Sequence, residues 1–268
     1  MISVQCGSAL AAHLFSTVGP GGAAFLRLAV GALVLLAVWR PWTASHGRSE
    51  WLAALLFGIT TAAMNLSFYA ALDRVPLGVA VTLEFVGPLG LAVAGSRRFL
   101  DLLWVTFAAG GIVLLAPWGG LHLDAVGIAF ALLAGLFWSL YILLSARVGR
   151  LFSGGSGLAI AMAAGSLALL PVGVVSAGAS LLDGRVLVVG LGVGLLSSVI
   201  PYSLEMESLR RLPTRVFGVL MSTEPVVGAL VGLIFLGQLL DVRAVFAIVL
   251  VTIAAVGATR SHHTVPIA

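Results

Sequence analysis

Hydrophobic positions come in long unbroken runs, near 1 to 18, 23 to 39, 51 to 72, 77 to 95, 99 to 116, 125 to 146, 157 to 179, 186 to 208, 214 to 236 and 242 to 259. Charges or Pro and Gly end each run. A stretch such as Gly31 to Trp39 (GALVLLAVW) is apolar at every position, whereas a lipid-facing barrel strand alternates apolar and polar residues. About 20 apolar residues in a helix cross a bilayer core of about 30 Å. The pattern therefore predicts an all-α polytopic membrane protein with about ten transmembrane helices joined by short loops.

Composition removes the alternatives. Of 268 residues, 60% are AVILMFWYC, another 33 are Gly, and only 9% are charged, against roughly a quarter in soluble domains. A soluble globule would need far more charge on its surface, and a disordered chain far less apolar content. All 14 basic residues are Arg. The absence of Lys excludes a P-loop lysine and a Schiff-base lysine. The single Cys6 can form no disulfide within the chain and no thiolate cluster. His262 and His263 are adjacent in the tail and lack the i, i+4 spacing of a helical metal pair. No metal and no cofactor is expected. The five His are scattered among loops, ends and tail, which argues against an enzyme with converging acid–base groups.

Charge placement predicts orientation. With loops assigned alternately to two sides, Arg40, Arg48, Arg97, Arg98, Arg147, Arg150, Arg210, Arg211, Arg215 and Arg260 share one side, against Arg74, Arg185 and Arg243 on the other. Ten against three is a strong positive-inside bias. Both termini are expected in the cytoplasm, and the high pI reflects topology rather than nucleic-acid binding. Trp39, Trp42, Trp51, Trp104 and Trp118 fall near span ends, as an interfacial belt in contact with membrane lipid would. Trp138 lies thirteen residues into its helix and is the exception.

A shift of 137 residues superimposes Leu72, Arg74, Pro76 and Pro88 on Leu209, Arg211, Pro213 and Pro225 without a gap. Both segments occupy the fourth span of a five-span half, so a duplicated unit is expected, 1–118 and 119–268, with the boundary in the loop from Pro117 to Asp124. An odd number of spans per unit makes the two copies inverted, a frequent transporter architecture with its site near the midplane. The same shift aligns Met1 with Trp138, so Ala125 to Phe137 have no counterpart in the first span. The first helix is expected to be truncated, with the chain beginning inside it.

Ionisable groups deep in a span are functional candidates by default. Glu84 lies seven residues into span 4 and Glu224 ten into span 9, which puts both near the midplane. Either can be a transport carboxylate or a neutral acid that ties helices together. Pro88 removes the helical donor of the Glu84 carbonyl, and Pro225 removes that of Met221. Since 84 plus 137 is 221, both units are expected to break at the same turn, and Glu224 directly precedes its proline. Asn65, Ser67 and Tyr69, Ser139 and Tyr141 beside Trp138, and Ser197, Ser198 and Tyr202 add neutral polar groups, either interhelical contacts or cavity lining. Arg27, four residues into span 2, can snorkel to the surface or face a cavity and receive a carboxylate. Glu205 and Glu207 are expected to be solvated at an inner helix end.

The segments VPLGVAVTLEFVGPL at 75–89 and PYSLEMESLRRLPTRVFGVLMSTEPVVGALVGLIFLG at 201–237, with LRLAVGALVLL at 26–36, closely resemble the EamA branch of the drug/metabolite transporter superfamily, and within it the bacterial threonine/homoserine exporters. The resemblance implies ten helices in two EamA repeats, an inner-membrane location and export of small neutral amino acids driven by the proton gradient. Export of other metabolites or drugs is the alternative within the superfamily. Gln238 departs from the pattern, since many members carry Glu after the LG.

Overall fold

The computed structural model describes residues 1–94, 99–115, 124–202, 204 and 220–261. Within them the chain is helical: α1 (Ile2–Ala12), α2 (Phe15–Trp39), α3 (Arg48–Leu72), α4 (Leu77–Glu84), α5 (Val86–Ala94), α6 (Phe99–Leu115), α7 (Ala125–Leu151), α8 (Ser156–Ala177), α9 (Gly184–Gly194), α10 (Glu224–Leu236) and α11 (Val242–Ser261). Helix α2 packs chiefly on α8, α3 lies on both α7 and α8, α4 crosses α10, and α6 pairs with α11.

Among the described residues, five helical stretches are long and apolar enough to cross a membrane: Phe15–Thr43, Arg48–Leu72, Ala125–Leu151, Ser156–Leu182 and Gly184–Tyr202. Shorter apolar helices accompany them, including Ile2–Ala12, Leu77–Leu91, Glu224–Leu236 and Val242–Gly257. Large apolar side chains cover the outside; Val175, for example, is 87% exposed and Ile234 71%. The buried core is rich in alanine, with Tyr69, Leu28, Leu77, Leu83 and Met162 the largest of its fully buried side chains. Small residues inside and large apolar ones outside are what helix association in lipid requires.

The helix ends have local causes. Asp124 accepts from Val126 N–H at 2.8 Å and so caps α7. It also accepts from Arg74 at 2.7 Å. The Arg74 hydrogen bond, with the Val126 N–H, holds the Asp124 carboxyl below its usual range. Gln238 Oε1 accepts from Leu77 N–H at 2.8 Å, satisfying one orphan donor at the start of α4.

Two boundaries differ from the sequence reading. The first run was expected to be one helix over 1–18; α1 instead spans Ile2–Ala12, eleven residues. α2 starts at Phe15 and kinks at Gly19 (φ 67°, ψ 168°) immediately before Pro20. Proline disfavours the helical conformation of its predecessor, and glycine alone enters that positive-φ region cheaply. The second run was expected to begin at 23, yet its straight part begins at this kink. In the second half the break was expected at the turn of Met221, equivalent to Glu84, with Glu224 disfavoured from the helical conformation by Pro225. The break falls on Ser222 and Thr223, and Glu224 is the first residue of α10. The matching break in the first half is Phe85, between α4 and α5.

The proposed boundary loop 117–123 with Trp118, the segment 205–219 carrying Glu205, Glu207, Arg210, Arg211, Pro213 and Arg215, the pair Arg97 and Arg98, and His262 and His263 lie outside the described residues.

Candidate functional site

The two breaks face one cavity of about 100 Å³. Its lining comes from α1, α2, α3, α4, α7, the stretch 197–202, Met221 and α10. Among the residues weighed from the sequence, Arg27, Asn65, Glu84, Trp138, Tyr141, Tyr202 and Glu224 line it. Roughly 10–15 Å³ of such space holds one water, so the volume suits a polar molecule of fewer than about ten heavy atoms.

Arg27 is buried, with 6% of its surface exposed. Its Nη2 donates to the Ser197 carbonyl at 2.9 Å. That carbonyl is available for a sequence-level reason: Pro201, four residues on, has no N–H to give it. The turn is also distorted into a π-helix over Leu195–Val199, a feature that recurs at functional sites. The Tyr69 ring lies 5.7 Å from the guanidinium carbon, within cation–π range. Of the two orientations open to Arg27, the structure has the cavity-facing one and not the snorkelled one.

The two acids occupy different settings. Glu224 is buried, 5% exposed, and accepts from Gln5 Nε2 at 3.1 Å. It opens α10, with Thr223 before it and Pro225 after. Glu84 closes α4, is only partly buried, and has no hydrogen bond to its carboxyl among the described residues. Neither acid forms an ion pair with Arg27 among the described residues.

Helix α7 reaches the site through Gly135, where a Cβ would lie 2.5 Å from the Glu84 carbonyl oxygen. With no side chain there, α7 rests directly on the α4–α5 break. One turn further along, Trp138 meets Phe85 edge-on, with ring centroids 5.3 Å apart at 85°. Tyr141 stacks on Tyr202 at 6.4 Å and 22°.

Asn65 donates to the Thr61 carbonyl at 2.7 Å while lining the cavity. Ser197 also lines it, whereas Ser67, Tyr69, Ser139 and Ser198 do not. Ser139 bonds back to Gly135, and Tyr69 packs between Phe15 and Phe68. Sequence reasoning missed Val4, Gln5, Met64, Phe68 and Pro201 as lining, and reached Met221 only through the carbonyl that Pro225 frees. Gln5 had a signal, a lone amide in an apolar run, and Pro201 one in its missing N–H; Val4, Met64 and Phe68 had none.

A sequence profile of the EamA-like transporter family matches residues 125–260. The chain is 42% identical over 268 residues, 99% of its length and 90% of the relative's, to the threonine/homoserine exporter RhtA of Salmonella typhimurium (strain SL1344). It is 42% identical over 261 residues to the protein of the same name in Escherichia coli (strain K12), covering 97% of this chain and 88% of that one. One solved crystal structure aligns with 97% of this chain and 94% of its own at a TM-score of 0.66 and 20% identity. That likeness speaks for the fold alone.

Proposed function

The chain belongs to the EamA-like transporter family, and from this premise we propose that it is a secondary exporter of small neutral amino acids such as threonine and homoserine. It works by alternating access in a bacterial inner membrane, drawing on the proton gradient. The observation that carries the reading is the cavity between the two helix breaks, which brings one buried cation, Arg27, and two acids, Glu84 and Glu224, to a space of about 100 Å³. Charged groups at membrane depth are expensive and persist where a polar ligand or ion passes. The cavity's size favours a small amino acid over a drug-sized molecule, which needs about 300 Å³ or more. The names of the relatives favour the same substrates.

The architecture we propose is ten spans in two inverted five-helix units, 1–118 and 119–268, with both termini in the cytoplasm. Breaks at Phe85 and at Ser222 are 137 residues apart, the offset that aligns the two proline segments. The family profile covers 125–260, about the extent of the second unit. Paired discontinuous helices around a midplane site are a recurring transporter device. A periplasm-active reporter fused after Ala268 is expected to be silent, and strong activity would overturn the topology.

Purified protein in liposomes loaded with unlabelled threonine tests the function. Labelled external threonine should accumulate above protein-free liposomes, and an inward-directed proton gradient should alter the flux. Counterflow only with larger apolar compounds would assign the chain to the drug or metabolite carriers of the superfamily instead.

A further inference from the structure

Four buried polar atoms on residues of the cavity lining have no hydrogen-bond partner among the described residues: Gln5 Oε1, Glu224 Oε2, Arg27 Nε and Ser197 Oγ. Gln5, Glu224 and Arg27 are 2%, 5% and 6% exposed. Buried groups of this kind are normally satisfied, because an unmade hydrogen bond costs the full desolvation of the group.

Their chemistry is ordered by position. Two of the acceptors belong to side chains joined where α1 meets α10, since Gln5 Nε2 donates to Glu224 Oε1 at 3.1 Å and each residue keeps one oxygen unused. The donor comes from α2, where the Ser197 carbonyl holds Nη2 and leaves Nε free. Arg27 and Glu224 line the same small space yet form no ion pair among the described residues. A compact cavity of about 100 Å³ is only on the order of 5 Å across. What fits between the cation and the paired acceptors is a small molecule that carries both charges on groups borne by one carbon.

Resting on the exporter reading above, we propose that Gln5 and Glu224 together seat the substrate's ammonium group and that Arg27 takes its carboxylate, so that the cavity selects zwitterions. Two of the three ammonium N–H groups meet Gln5 Oε1 and Glu224 Oε2. The carboxylate receives Arg27 Nε, with the Ser197 hydroxyl available for a further bond. Glu84 stays outside this seat, open to the cavity, as the group left to exchange a proton. An amine without a carboxylate leaves the guanidinium unpaired. A hydroxy acid without an ammonium leaves the Gln5 and Glu224 oxygens unpaired. A site built to hydrogen-bond a group rejects the analogue that lacks it.

The test is threonine counterflow in proteoliposomes, competed with threonine amide, which has no carboxylate, and with 2,3-dihydroxybutyrate, which has no ammonium. Neither should compete with the wild-type protein at an excess of about a hundredfold, given the discrimination such sites reach. Either one competing as well as threonine overturns the proposal without any variant. Gln5→Leu should raise the half-saturation concentration for threonine about tenfold and narrow its preference over the hydroxy acid, leaving its preference over the amide unchanged. Arg27→Gln should do the reverse. A merely structural Gln5 would instead move both preferences together or neither, and either result overturns the assignment. If the wild-type protein transports no small neutral amino acid at all, the exporter reading fails and this inference with it. If it transports threonine but shows no crossed pattern, only the inference fails.

Discussion

Cells producing Glu84→Gln are expected to export threonine at least about tenfold more slowly than the wild type, with the pH dependence of the remaining flux flattened and the protein still present in the membrane in normal amounts. Glutamine keeps the size of the side chain and most of its hydrogen-bonding capacity, but it cannot take up or release a proton at neutral pH. Glu84 closes α4 one turn before Pro88 and opens onto the cavity. Its carboxyl is tied to no neighbour among the described residues, so its removal breaks no contact that holds helices together. Glu224 differs on this point. Its bond to Gln5 and its place at the start of α10, where a helix favours negative charge, suit it to holding substrate. Glu224→Gln should therefore raise the half-saturation concentration while the pH response survives. Efflux assayed over a pH series, with membrane abundance measured by immunoblot, checks both variants. Normal and pH-responsive efflux in Glu84→Gln would remove it from the mechanism.

The helical class was legible because apolar runs need no partner to be recognised: in lipid each helix satisfies its own backbone. The helix breaks were legible because proline acts locally, deleting a donor four residues from a known carbonyl. The interruptions at Phe85 and at Ser222 each lie three residues before a proline, Pro88 and Pro225. Applied to Pro201, which had not been singled out, the same rule also accounts for the free Ser197 carbonyl on which Arg27 rests. What sequence left open was rotation about each helix axis. Ser67 lies two positions after Asn65, yet only Asn65 reaches the cavity, because residues two apart face different sides of a helix. Arg27 could not be oriented for a related reason, since its long side chain reaches several depths. Gln5 was visible as a polar interruption of an apolar run, but its partner lies 219 positions away. Nothing periodic links the two. The early end of α1 at Ala12 carries no proline or glycine to mark it, whereas the kink at Gly19 before Pro20 falls where the first two apolar runs part.

Gly135→Ala and Gly149→Ala, the same change at two positions of one helix, should have opposite outcomes. In an exposed helix interior the exchange favours the helix by roughly 0.5–1 kcal/mol. At Gly149, where a new Cβ meets nothing within 4 Å, that gain should appear as unchanged or slightly higher thermal stability and normal transport. At Gly135 the Cβ would lie 2.5 Å from the Glu84 carbonyl oxygen, 3.2 Å from its carbon and 3.3 Å from its Cα. These are backbone atoms, which cannot turn aside as a side chain can. Helix α7 must then move away from the α4–α5 break. Overpacking of this kind costs typically 1–3 kcal/mol, which outweighs the propensity gain. The displacement also carries Trp138 off Phe85 and shifts Tyr141, so two cavity walls move relative to Glu84. We expect Gly135→Ala to melt several degrees below the wild type in detergent, and its threonine counterflow to fall by about tenfold or more, since displacements near 1 Å at a site cost far more rate than stability. Melting curves and counterflow measured side by side on the two alanine variants decide the matter. If Gly135→Ala behaves like Gly149→Ala in both assays, α7 does not rest on the break, and the cavity is not assembled around Glu84 as described.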